Sequence, residues 1–247
     1  MYTSKEFVEF VKSMVGAPYW YGTCCYKATK SLLASKKRQY PKQYLGYADV
    51  FNKAIADKAV VCDCVGLIKG FFWSEGGKRV YEYKQNGRNL QLKYADGIND
   101  YGANGLAAYI KRTSKWGAIS TMPDIAGLIV WKAGHVGVYI GEGKVVQASW
   151  MNTGCYETEL SKTSFTNWGA LPNLEYEQEI KKEEAVKEDT EETETVKHVV
   201  KAGESLWRIS QLYYGVGSKW GKIAEANDIS GTLIYAGQTL IIPEVIK

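Results

Sequence analysis

Two side chains stand in settings suited to nucleophilic chemistry. Cys64, in Asp63-Cys64-Val65-Gly66-Leu67, opens the apolar run CVGLIKGFFW. A thiol at the start of a helix faces free N–H groups and the positive end of the helix dipole, both of which favour thiolate. The helix alone supplies ~0.3–1 kcal/mol, less than the ~1.36 kcal/mol that one pKa unit represents. A thiol that is ionised at neutral pH therefore needs a further partner, and an imidazolium is the usual one. His135 is the one histidine in residues 1–174, and it opens the run HVGVYIG. Such a pair predicts nucleophilic catalysis by sulfur with the imidazole as its partner, and a third group is then needed to orient the ring.

Gln147 is the candidate for that third group. If Gly141-Glu142-Gly143 forms a three-residue turn, Ile140 faces Lys144 and Gly137 faces Gln147. Side chains alternate along a strand, so His135 and Gln147 then share a face as diagonal neighbours. A two-residue turn would send Gln147 to the other face.

The elements that must position these groups can be read from periodicity. Thr3-Ser4-Lys5-Glu6 fits a capping box, with Phe7, Val11, Met14 and Val15 following on one face, and Gly16-Ala17-Pro18 ends that helix. A second helix begins near Asp63 or Cys64. Residues 126–131, 134–141 and 144–149 read as short strands bounded by glycine. Helices first and strands later predict an α+β domain. The segment 175–197 has ten acidic residues and four lysines and reads as an acidic linker, spanning roughly 26 Å r.m.s. if flexible. After it, 198–247 shows a short strand, two helices and a closing strand, a βααβ unit near the lower size limit for independent folding. The expected division is therefore 1–174, 175–197 and 198–247.

The 247 residues carry no apolar run close to the ~20 needed to cross a bilayer, so a membrane role is not expected. The start, MYTSKEFVEFVKS, does not read as a secretion signal, so synthesis in the cytoplasm is expected. The five cysteines are an odd number, which argues against a disulfide scaffold and for free thiols. The CxC at 62–64 does not fit zinc spacing, and no metal or other cofactor is expected. Residues 1–174 carry net charge +9, residues 175–197 carry −6 and the remainder +1. A basic domain points to an anionic partner. Its charges are scattered and match no nucleic-acid motif, which favours a bacterial wall over nucleic acid.

The motifs Gly16-Ala17-Pro18-Tyr19-Trp20-Tyr21-Gly22, Asp63-Cys64-Val65-Gly66-Leu67, Gly134-His135-Val136-Gly137-Val138-Tyr139-Ile140-Gly141 and Val146-Gln147-Ala148 together resemble the NlpC-type family of papain-fold cell-wall cysteine peptidases. The resemblance implies a helices-on-antiparallel-sheet fold, with Cys64 as nucleophile, His135 as base, Gln147 as orienting group and Tyr19 at the oxyanion site. It implies a peptidoglycan hydrolase that cuts a D-glutamyl–diamino acid bond. The alternatives are an N-acetylmuramoyl-L-alanine amidase and a wall-binding protein without catalysis. This chain departs from the family at Val65, where serine is usual, at Thr23, where glycine is usual, and at Gln147, where histidine is frequent. About 40 residues separate Gly22 from Asp63, and this insertion is expected to shape the groove.

The tail, from Val199-Val200-Lys201-Ala202-Gly203-Glu204-Ser205-Leu206-Trp207 to Gly237-Gln238-Thr239-Leu240-Ile241-Ile242-Pro243, resembles one LysM domain. That resemblance implies an N-acetylglucosamine-containing glycan as partner. It maps the glycan groove to Gly203, Glu204, Ser205 and Leu206 on one loop and Asp228, Ile229 and Ser230 on another. Leu206, Trp207, Ile209 and Ile241 read as packing residues and His198 as a surface strand residue. Taken together, these features predict a monomeric enzyme like a phage endolysin, which reaches the wall only after release from the cytoplasm.

Overall fold

A computed structural model describes residues 1–87, 89–176 and 196–243. The chain divides into two compact units, 1–180 and 181–247. Of the acidic linker, residues 177–195 lie outside the described residues. Its two ends belong to strands instead. Glu175 pairs with Thr3, and Val196 and Lys197 pair with Ile242 and Ile241.

In the first unit, β1 (Tyr2–Thr3) leads into α1 (Ser4–Ser13). Thr3 caps α1 through the full capping box with Glu6. Phe7, Val11 and Met14 are buried as the spacing predicts, whereas Val15 is exposed because α1 ends at Ser13 and residue 15 leaves the apolar stripe. Then follow β2 (Tyr26–Lys27), α2 (Lys30–Gln39), α3 (Ala48–Ala56) and β3 (Val60–Val61). The strands β2 and β3 pair antiparallel, so the insertion leaves and rejoins the fold at one place. Its own small core gathers Tyr44 and Phe51 around Trp20.

The helix α4 (Cys64–Trp73) is the centre of the unit, with all ten residues buried. A helix that is apolar all round must be enclosed on every side. Here α1 and α6 pack on it, as do the sheet strands that carry His135 and Gln147. After α4 come α5 (Lys78–Asn86), α6 (Ala103–Thr113) and β4 (Trp116–Ala118). The chain continues through β5 (Ile129–Lys132), β6 (His135–Gly141), β7 (Lys144–Ser149), β8 (Gly154–Glu159), β9 (Asn167–Gly169) and β10 (Leu174–Glu175). The main sheet is antiparallel, in the order β4-β9-β5-β6-β7-β8. Helices packed on an antiparallel sheet are the α+β class read from the sequence.

Gly66 lets the 20s segment lie directly on α4. A Cβ there would stand 1.9 Å from the Thr23 carbonyl oxygen, a backbone atom that cannot swing away. Gly66→Ala is therefore expected to destabilise the unit by about 1–3 kcal/mol. A thermal melt should read this as a fall in Tm of several degrees, and an unchanged Tm would contradict it.

The second unit comprises β11 (Val196–Val199), α7 (Leu206–Tyr214), α8 (Trp220–Ala226) and β12 (Thr239–Ile242), the expected βααβ order. Val200, Leu206, Ile209, Ile223, Leu240 and Ile242 form its core. Two sequence readings fail here. Trp207 and Ile241 are 53% and 38% exposed, because each sits one position off the buried stripe of its element. His198 is buried rather than on the surface, and it bridges Glu204 at 2.8 Å and Tyr213 at 3.1 Å.

Candidate active site

Asp63 fixes the start of α4. Its carboxylate accepts the Gly66 N–H at 2.6 Å and, from the other oxygen, the Gly22 N–H at 2.9 Å. One side chain thus caps the helix and ties it to the Gly16–Gly22 segment. The main chain completes the join. Tyr19 forms a parallel bridge with Cys62, and the Trp20 N–H donates to the Cys62 carbonyl at 3.2 Å. Tyr19 and Cys64 are thereby held side by side.

The hairpin reaches the predicted face by an unpredicted route. The turn is two residues, Glu142-Gly143, both with positive φ, and Gly141 faces Lys144. Such a turn alone would have put Gln147 on the wrong side. A bulge between Tyr139 and Gly141 adds one residue to β6 and restores the register, so that Val138 faces Val146 and Tyr139 faces Val145. Gly137 and Gln147 then fall opposite one another. The His135 Nε2 and Gln147 Oε1 lie 2.7 Å apart. Phe165 stacks on the imidazole, with ring centroids 5.7 Å apart and planes within 10°. Nothing in the sequence marked Phe165, which precedes the short strand β9 with no period of its own. Asn104 accepts the Gly134 N–H at 2.8 Å and steadies the turn that presents His135.

Cys64, His135 and Tyr19 line one cleft of about 380 Å³. Tyr19 and His135 also line a second cavity of about 520 Å³, which contains Gln147 and Trp150. The site therefore sits on a saddle between two cavities, a shape suited to a chain-like substrate. The backbone N–H groups of Val136, Val65 and Cys64 itself favour the ionised form of the Cys64 sulfur. Since Val136 follows His135, the β6 backbone contributes to the environment of the sulfur.

The electrostatics differ from the sequence expectation of a resting thiolate. Burial, followed by the Asp63 carboxylate, pushes the Cys64 thiol up to about 12 against the pull of those N–H groups. Burial also lowers the His135 pKa, which Lys132 reinforces and the Gln147 hydrogen bond opposes. Both shifts favour a neutral thiol beside a neutral imidazole. The expected result is no thiolate absorbance from Cys64 at neutral pH, measured as the ultraviolet difference between the native protein and Cys64→Ala. A thiolate step below pH 7 would contradict it. Tyr19 is raised further still, by burial and then by Cys64 and Asp63, so its hydroxyl keeps its proton and remains a donor.

In the second unit the predicted glycan residues divide by use. Ser205 caps α7 by accepting the Arg208 N–H, and Glu204 is engaged by His198 and the Lys201 N–H. Leu206 is buried in the core, so only its backbone can face a ligand. Gly203, Asp228 and Ser230 are exposed and Ile229 is half-buried. Asp228 lies in the left-handed region, with φ of 55°.

The LysM domain family matches residues 198–243. Solved structures similar to the chain include the NlpC/p60 domain of the peptidoglycan hydrolase SagA, at 13% identity and a TM-score of 0.35, covering 68% of this chain and 99% of that one. Another is the peptidoglycan hydrolase RipB from Mycobacterium tuberculosis, at 18% identity and a TM-score of 0.35, covering 70% of this chain and 67% of that one. No curated protein sequence matches the chain.

Proposed function

We propose that the chain is a peptidoglycan hydrolase in which Cys64, His135, Gln147 and Tyr19 cleave an amide bond of the stem peptide and the LysM domain holds the enzyme to wall glycan. The observation that carries this reading is the His135–Gln147 hydrogen bond at 2.7 Å in a site whose cleft also contains Cys64. Gln147 offers a carbonyl oxygen, so Nε2 carries the imidazole proton and Nδ1 keeps its lone pair for the thiol.

From the neutral resting pair, His135 Nδ1 removes the thiol proton as sulfur bonds to the substrate carbonyl carbon. The oxyanion that forms is met by the Cys64 N–H and the Tyr19 hydroxyl, where one donor is worth ~2.7–4 kcal/mol. The imidazolium then protonates the departing amine as the C–N bond breaks and a thioester remains. Water, deprotonated by the same imidazole, hydrolyses the thioester and regenerates the thiol.

The bond we assign is D-glutamyl to diamino acid. Mass spectrometry of muropeptides from walls digested by the native protein tests the assignment. Fragments ending in a new D-glutamyl carboxylate support it. Lactyl groups freed of peptide identify an amidase instead, and intact muropeptides together with sedimentation on walls identify a binding protein.

A further inference from the structure

The charged groups in the cleft beside Cys64 are almost all satisfied from within. Asp63 is engaged by the Gly22 and Gly66 N–H groups. Lys69, buried on α4, is ion-paired with Asp100, which also accepts the Tyr94 hydroxyl at 3.1 Å. Lys36 is different. It sits on α2, inside the insertion, and its side chain is drawn into the same cleft. Its ammonium donates to the neutral Gln39 Oε1 at 3.0 Å and lies 5.5 Å from the centre of the Tyr40 ring. Among the described residues it has no carboxylate within ion-pair distance. Burial lowers its pKa, and the Asp63 and Asp100 carboxylates, which lie beyond ion-pair distance, oppose this only in part.

We propose that Lys36 is a specificity-determining residue that binds a free carboxylate of the stem peptide while the scissile carbonyl lies at Cys64. The proposal rests on the hydrolase reading and names what the inserted helix contributes to it. Three features support an anionic ligand group. The cation is held in place by Gln39 and Tyr40, it faces the cleft that contains the sulfur, and no carboxylate among the described residues pairs with it directly, which leaves that place to a ligand carboxylate. A carboxamide has the same shape but offers no charge, so it should lose most of this contact.

The probes are a synthetic L-alanyl-γ-D-glutamyl–diamino acid peptide with a free glutamyl α-carboxylate and the same peptide with an α-carboxamide. The native enzyme should cleave the carboxylate peptide with a KM roughly tenfold below that of the amide, the discrimination a charge-assisted hydrogen bond typically provides. Lys36→Met should raise KM for the carboxylate peptide to the level of the amide, with kcat little changed, and Lys36→Arg should keep the preference. Direct binding of both peptides to the full-length Cys64→Ala protein, with and without Lys36→Met, separates the two ideas. Equal affinity for the two peptides with Lys36 present overturns the carboxylate site. A preference that depends on Lys36 in binding, combined with no cleavage by the native enzyme, supports the site and overturns the hydrolase reading.

Discussion

Cys64→Ala and His135→Ala are each expected to abolish wall clearing, with a loss in kcat on the order of 10⁴-fold or more, while sedimentation on walls persists. The size follows from how the two groups work. The resting thiol is held near 12 by burial, so without the imidazole almost no nucleophile exists at neutral pH. Without the sulfur, the imidazole has nothing to activate. Groups that act as one unit are strongly non-additive, so the double variant should be no worse than either single one. Clearing assays with purified variants measure this. Residual clearing by Cys64→Ala within tenfold of native would overturn the assignment. Persisting sedimentation separates lost chemistry from lost wall binding, which is assigned to the LysM domain.

Gln147→Leu is expected to lower kcat by about 10- to 100-fold with little change in KM. The variant leaves the His135 Nε2–H without an acceptor in a buried setting, at about 1–3 kcal/mol, and frees the ring to adopt the other tautomer. Stacking on Phe165 still holds the ring plane, which keeps the loss below that of removing the imidazole. Gln147→Glu provides the diagnostic sign. A carboxylate at that position raises the His135 pKa, and the base works only when neutral. The acid limb of the pH–rate profile should therefore move to higher pH in Gln147→Glu. An unmoved limb would mean that residue 147 does not touch the working imidazole.

The placement of these side chains was legible where local pattern could be counted. Cys64 is marked by Asp63 before it and an apolar helix after it, and His135 and Gln147 lie on one hairpin whose parity can be counted. The bulge at Ile140 was hidden because its signal is a register, and a register shows itself only when two strands are laid together. Phe165 and Lys36 were missed for a related reason. Phe165 reaches His135 across 30 residues and Lys36 reaches the Cys64 cleft across 28, each from a segment whose own periodicity says nothing of its destination. The upward push on the Cys64 thiol could not be foreseen, because helix polarity can be read from sequence while burial cannot. His198 looked exposed because a single histidine in a short strand gives no indication that Glu204 and Tyr213 will close over it.

The paired strands β2 and β3 carry an evolutionary implication. They bring the two ends of the excursion between Lys27 and Val60 together, so its length can change without displacing either end. Closing a longer segment costs only logarithmically more entropy, about 0.6 kcal/mol per doubling. Selection can therefore lengthen or shorten this segment at little cost to the join itself.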